Sequence, residues 1–257
     1  MDEIRLVIIP VLLGDGLRLF DNSGIERRWH LKNVVAYKTG VVELLYPSQS
    51  TNSRPERGEV RREGNIMSKN GGIIGVSDHG GWAVLVTVAR DGTLLDRRRV
   101  ELVGEGLPKL PHHSEGQGLP LDEAVELVER VRVSAERHAV LALDAVTMAV
   151  SRILGVALRK CPQLPPTITE RIKDYRAQNN ADWVMYRKAL ASAAEARGWL
   201  VHWYDAKSVL GAARQALRVE NLDAHFLQVR KAVGPPWNKD HKLAMAAAIV
   251  AAAAAAG

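Results

Sequence analysis

Asp78 is the residue whose type and position point most directly to chemistry. Residues 73–77 before it form a short apolar run, and a turn with the sequence Asp-His-Gly-Gly begins at Asp78. A carboxylate that ends a buried strand can bind a metal ion, but aspartate is also a common turn residue. Asp78 is therefore a candidate site residue, and its role depends on what the fold places beside it.

His112, His113 and Glu115 form a second candidate group, because imidazole and carboxylate groups bind metal ions. Adjacent side chains in an extended loop point in opposite directions, so the two histidines would not easily share one ion. Several prolines and glycines surround them. The sequence here favours a solvated loop over a metal centre.

Basic and aromatic residues are neighbours at two later places, around Tyr175-Arg176 and around Tyr186-Arg187. Such pairs can contact the backbone and stack on the bases of a nucleic acid, although packing between helices explains them equally well. The chain has 35 Lys and Arg against 29 Asp and Glu, a net charge of +6. That charge permits a nucleic-acid partner without requiring one.

Cys161 is the single cysteine, which excludes an intrachain disulfide and a zinc site built from cysteines. A chain without disulfides is typical of the reducing cytoplasm, which is the expected location. Residues 244–256 are apolar, but these 13 residues are too short to span a bilayer. They are expected to form a buried, alanine-rich helix, and no membrane partner is expected.

A three-stranded meander must position Asp78. Apolar runs predict strands at residues 73–77, 82–89 and 94–103, and Asp91-Gly92 is typical of a hairpin turn. Further strands are expected at residues 153–158 and 200–204, and helices at residues 120–150, 167–197 (in one piece or in two around Asn179-Asn180), 208–219, 221–232 and 239–256. The resulting order is β-β-β-α-β-α-β-α.

This order resembles the ribonuclease H-like superfamily, including the RuvC-type Holliday-junction resolvases. IIGVSDHGGWAVLV is similar to the family's strand-Asp-x-Gly motif, and WNKDHKLAMAAAIVAA opens the last helix with Asp240. The resemblance covers residues 71–257 and implies an α/β fold, a mixed sheet flanked by helices. It also implies a nucleic-acid-associated domain in which Asp78 and Asp240 bind Mg²⁺.

The resemblance fails at the family's third carboxylate, which usually ends the fourth strand. Arg159 and Lys160 stand there in this chain. Glu170 and Asp174 come later and would have to fold back to replace the missing carboxylate, and Glu170 is the candidate catalytic residue. Two carboxylates that share a hydrated ion lie roughly 4 to 8 Å apart, so Asp78 and Asp240 are expected at that separation. The domain is accordingly either a Mg²⁺-dependent nuclease or a catalytically degenerate relative.

Residues 2–47 carry a separate resemblance. IRLVIIPVLLGDGLRLFD followed by VVAYKTGVVELLYP looks like the C-terminal end of the dihydrofolate-reductase-like domain of riboflavin-biosynthesis enzymes, the bifunctional deaminase-reductases. It implies a short β-rich fragment without the family's cofactor loop, so no cofactor-binding residue is assigned. Gly14 and Gly16 are expected to be turn glycines.

Residues 50–70 are almost free of apolar side chains and are expected to form a flexible linker. The chain is therefore expected to have three parts: a reductase-like fragment at residues 1–49, the linker at residues 50–70, and the ribonuclease H-like domain at residues 71–257. Met67 is a candidate start of a separate protein, which would make the chain a gene fusion.

Two further functions stay open beside the nuclease. The first is a non-catalytic scaffold domain of the same fold, which Arg159 and Lys160 favour. The second is an NADPH-dependent reductase of the 5-amino-6-(5-phosphoribosylamino)uracil type, which rests on the resemblance of residues 2–47.

Overall fold

The computed structural model describes residues 3–8, 33–36 and 42–47 as backbone strands and residues 71–255 with their side chains. The chain divides into two compact units, Met1–Arg61 and Arg62–Gly257. The predicted linker of residues 50–70 lies outside the described residues, as do Gly14 and Gly16.

The first unit contains one antiparallel sheet with the strand order β1-β3-β2. Its strands are β1 (Glu3–Ile8), β2 (Asn33–Ala36) and β3 (Val42–Pro47). They lie within or beside the apolar runs of the segment that resembles the reductase. The resemblance to the reductase stays a prediction.

The second unit is a mixed α/β fold with a five-stranded sheet of order β6-β5-β4-β7-β8. Its strands are β4 (Gly72–His79), β5 (Trp82–Val88), β6 (Leu94–Glu101), β7 (Ile153–Arg159) and β8 (Leu200–Tyr204). Its helices are α1 (Leu121–Ala149), α2 (Ile168–Lys173), α3 (Tyr175–Glu195), α4 (Val209–Leu217), α5 (Leu222–Val233) and α6 (Lys239–Ala254). β4 pairs antiparallel with β5 and parallel with β7, so the sheet is mixed, as expected.

Helices cover both faces of the central strand β4. Ile74 and Val76 pack in one hydrophobic cluster with α1 and α3, and Ile73 packs in a second cluster with α6. Alternate residues of a strand face opposite sides, so the side chains of β4 alternate between these two helical layers. Gly75 allows the closest approach of α6, because a Cβ atom there would lie 1.8 Å from the carbonyl oxygen of Ala244.

The predicted helix of residues 167–197 is divided at Asp174, not at Asn179-Asn180. The Asp174 carboxylate accepts hydrogen bonds from the backbone N–H groups of Arg176 and Ala177, which caps α3. The side chains of Asn179 and Asn180 instead donate to carbonyl oxygens one turn earlier and leave α3 continuous. The predicted break was therefore placed about one turn too late, because Asp174 has the extended backbone and the capping hydrogen bonds that begin a helix, whereas Asn179 and Asn180 bond within one.

None of the helices within the described residues is both long and apolar enough to cross a membrane.

Candidate functional site

Asp78 lies at the carboxyl end of the central strand and is buried, with 2% of its surface exposed. The Nε–H group of Arg187, on α3, donates to its Oδ2 atom at 2.7 Å. Arg159, at the end of β7, places its Nε atom 3.9 Å from Oδ1. Both Asp78 and Arg187 are buried, so the structure makes Asp78 half of a buried ion pair.

The surroundings hold this pair in place. Arg187 also donates from Nη1 to the carbonyl oxygen of Lys160 at 3.3 Å. The hydroxyl group of Tyr204 donates to the carbonyl oxygen of Val76 at 2.7 Å, and burial raises the pKa of Tyr204 to about 12. Burial also raises the pKa of the Cys161 thiol, while Arg187 opposes that shift. The strand end is thus a buried cluster, in which Asp78 Oδ1 and Arg159 Nε have no hydrogen-bond partner among the described residues.

Asp240 lies in the first turn of α6 and contacts other residues of β4. Its Oδ1 atom accepts a hydrogen bond from the Ser77 hydroxyl at 3.0 Å and lies 2.9 Å from His79 Nε2. Ser77 and His79 flank Asp78 in the strand, so their side chains point to the opposite face. Asp240 therefore meets the face of β4 that carries Ser77, and Asp78 faces α3.

Asp78 and Asp240 therefore contact different groups in the structure, and their convergence on one ion stays a prediction. The strand pleat separates them, and each carboxylate already has its own partners. Glu170 does not join either one: it is exposed, and its carboxylate accepts from the N–H group and hydroxyl of Thr167 in a capping box. These backbone and hydroxyl hydrogen bonds lower the pKa of Glu170.

The residues at the strand end do not fit a shared Mg²⁺ ion. Mg²⁺ is bound by one or more carboxylates that are free to ligate it. Here Arg187 bonds to Oδ2 of Asp78, and Oδ1, which has no hydrogen-bond partner among the described residues, lies 3.9 Å from the Nε atom of a second guanidinium group, that of Arg159. Within residues 71–255, no group of three or more His, Cys, Asp or Glu is arranged to hold a metal ion.

His79, the last residue of β4, stacks on an aromatic ring. Its ring lies 4.0 Å from the ring of Trp82 with an interplanar angle of 6°. The guanidinium group of Arg99 lies 4.4 Å from the centre of the Trp82 ring. Because His79 and Arg99 already pack against this ring, Trp82 offers little free face on which a nucleic-acid base could stack.

The sequence analysis did not identify Asp182, which forms a second buried cluster with the 112–113 loop. Asp182 Oδ1 accepts from the backbone N–H and the Nδ1–H groups of His112, at 3.0 and 2.8 Å. Asp182 Oδ2 accepts from the backbone N–H of His113 at 3.1 Å. The loop is thus not solvated at His112, which is 2% exposed, whereas Glu115 is exposed.

One signal could have identified Asp182. It stands on the face of α3 that also carries Ala181, Val184 and Met185, all buried. A charged residue on an apolar helix face is rarely buried unless a partner satisfies it.

The two pairs of basic and aromatic residues lie in different environments. Tyr186 and Arg187 are buried, so that pair belongs to the core. Tyr175 is 69% exposed, and its neighbours Lys173 and Arg176 are exposed as well. We call Lys173, Tyr175 and Arg176 the α2–α3 corner.

Comparison with known proteins gives weak structural resemblances. No family model matches the chain, and no curated protein matches it. Thermus thermophilus RuvC in complex with a Holliday junction substrate is similar over 73% of this chain and 96% of its own, at 17% identity and a TM-score of 0.39. A further T. thermophilus RuvC structure is similar over 72% and 94%, at 16% identity and a TM-score of 0.38.

The mixed sheet agrees with the expected α/β fold class, and nothing in the comparisons supports a reductase.

Proposed function

We propose that residues 71–255 form a ribonuclease H-like module that binds nucleic acid without cleaving it. The observation that carries the proposal is the ion pair between Asp78 and Arg187, with a distance of 2.7 Å between Nε and Oδ2. A carboxylate that would act in metal-dependent cleavage has to face the ion and the scissile phosphate. Here it faces a buried guanidinium group, so this carboxylate stabilises the fold.

The α2–α3 corner is the surface that we propose for the nucleic acid. Lys173 and Arg176 are exposed cations that can neutralise phosphates, and Tyr175 offers an exposed ring on which a base can stack. Asp174 caps α3 through Arg176 N–H and Ala177 N–H. This cap holds Tyr175 and Arg176 at the start of α3, and Lys173 is the last residue of α2.

The corner can be tested by fluorescence anisotropy with labelled single-stranded and branched DNA. We expect binding in EDTA that weakens as salt is added, because phosphate contacts release counterions. Tyr175→Ala should weaken binding about tenfold, since stacking of a base on an aromatic ring contributes about 1–3 kcal/mol. Tyr175→Phe keeps the ring and should bind like the parent protein.

Met148→Ala is the matched control, because Met148 is 90% exposed on α1, and it should bind normally. The same DNA is then incubated with Mg²⁺ and examined on a denaturing gel, where we expect no products. Mg²⁺-dependent products that disappear in Asp78→Asn would contradict the proposal. DNA binding that is absent at low salt would contradict it as well and would leave the non-catalytic scaffold as the better function.

The reductase alternative rests on residues 2–47, whose side chains lie outside the described part of the chain. A titration with NADPH followed by cofactor fluorescence tests it separately.

A further inference from the structure

A cavity of about 200 Å³ lies between α1, α2 and α3, and none of the three residues of the α2–α3 corner lines it. His112 forms part of its wall, and the apolar part of the wall includes Val184 and Met185. The charged and polar side chains that line the cavity are Arg132, Glu136, Arg171, Lys188 and Ser192. Asp78 and the two residues that contact it at the strand end, Arg159 and Arg187, do not line this cavity.

His112 is the most constrained group in this wall. Its side chain is 1% exposed, and Asp182 holds its Nδ1–H at 2.8 Å. That hydrogen bond fixes the ring, and Nε2 is left without a partner among residues 71–255. A buried nitrogen without a partner costs free energy, which a bound ligand with a polar group would recover.

Three cationic side chains, Arg132, Arg171 and Lys188, and one carboxylate, Glu136, line the cavity. Arg132 is balanced by Glu129 and Glu136, which lie three and four residues away on the same helix face. Arg171 donates from Nε and Nη2 to the carbonyl oxygens of Pro165 and Pro166, each at 2.7 Å. These neutral acceptors position the guanidinium group without cancelling its charge.

Lys188 adds a second positive charge beside Arg171, and its exposed position on α3 leaves it free to reach a ligand. Ser192, one turn further along α3, supplies a hydroxyl group that can donate or accept. An anionic group with several oxygens therefore fits this cavity better than a cation or an apolar molecule.

From this geometry we propose that the cavity binds a phosphate monoester, with His112, Arg171 and Lys188 as its ligands. A phosphate suits His112 in either protonation state, because Nε2 can accept from a phosphate hydroxyl or, when protonated, donate to a phosphate oxygen. A carboxylate anion could pair only with the protonated ring. The apolar wall would contact the organic part of the ester.

This site goes beyond the proposed DNA-binding surface and does not depend on it. The phosphate can belong to a free nucleoside monophosphate or to the end of a nucleic-acid strand, which have the same phosphate chemistry. The test below separates these two sources.

The test is nitrogen-15 NMR of the His112 ring in the intact chain, with inorganic phosphate and then adenosine monophosphate as probes. We expect saturable shifts of His112 Nε2. Lys188→Gln, which changes an exposed residue, should weaken phosphate binding about tenfold, the loss of a hydrogen bond to a charged group. Lys231→Gln, on the exposed side of α5, is the control and should bind like the parent protein.

Two DNA strands that differ only in a 5′-phosphate distinguish the two sources of the phosphate. A chemical-shift change of His112 Nε2 with the phosphorylated strand alone assigns the site to strand ends. A change with adenosine monophosphate alone assigns it to a free nucleotide. Either result supports the phosphate site, whether or not the DNA also binds the α2–α3 corner. The absence of a His112 shift with any probe would overturn the proposal. Equal affinity of Lys188→Gln and the parent protein would overturn it too.

Discussion

Asp78→Asn is expected to lower the free energy of unfolding by about 3 kcal/mol. The substitution leaves the Arg187 guanidinium group buried without its counter-ion, and removing one partner of a buried pair costs about 3–5 kcal/mol. Arg187 is 7% exposed at its side chain, so water cannot replace the lost carboxylate. Urea unfolding followed by circular dichroism measures the change.

The matched control for Asp78 is Asp223, which pairs with Lys242 at 2.9 Å but has a side chain that is 83% exposed. Asp223→Asn should cost less than about 1 kcal/mol, as solvent-exposed ion pairs do. If Asp78→Asn were as stable as the parent protein, or more stable, the ion pair would not be holding the strand end together. A carboxylate kept for ligand binding would give that result.

Asp182→Asn should lower the free energy of unfolding by about 2–4 kcal/mol. Its carboxylate accepts three hydrogen bonds from the 112–113 loop. The amide offers one oxygen in place of two, and its NH₂ group would face an N–H donor, so a buried donor loses its acceptor at about 1–3 kcal/mol. Urea unfolding gives the free energy, and NMR of the His112 ring shows whether Nδ1–H has lost its acceptor.

Asp174→Asn is the control for this experiment, because Asp174 also accepts two backbone N–H groups at the start of α3 but is exposed. Asparagine caps helices as well as aspartate does, so this variant should change stability by only a few tenths of a kcal/mol. A similar small change in Asp182→Asn would show that the buried cluster contributes little to the fold.

The sequence predicted the strands and helices of residues 71–255 better than it predicted the site. Apolar runs around Asp91-Gly92 place the meander correctly, because a hairpin turn and strand alternation depend on residues that are neighbours in the sequence. Gly92 has the positive φ, +86°, that such a turn requires. The division at Asp174 was missed, because aspartate and asparagine both favour helix ends and only the structure shows which side chain reaches backbone N–H groups.

The partners of Asp78 could not be predicted, because they come from distant parts of the chain. Arg187 lies 109 residues away, and the contact between His79 and Asp240 spans 161 residues. The order of elements predicted that Asp78 and Asp240 lie near the same strand. It did not predict on which face of the sheet each side chain lies. A shift of one residue in a strand moves a side chain to the other face, so Ser77 meets α6 where Asp78 was expected.

The burial of His112 could not be predicted for the same reason, because its hydrogen-bond partner is distant in the sequence. The 112–115 loop has the composition of a solvated loop, and the residue that buries His112 lies 70 positions later, at Asp182. Composition describes the local segment, whereas burial depends on the element that packs against it.

The central claim is that Asp78 is held by Arg187 and not by a metal ion. The most direct test is the NMR signal of the Arg187 Nε–H group, recorded without metal and then with equimolar Mn²⁺, which broadens signals near its binding site. We predict that this signal keeps its intensity, as does that of Arg197 Nε–H at the other end of α3. Selective loss of the Arg187 signal, with Arg197 unchanged, would place the metal at the strand end and contradict the account.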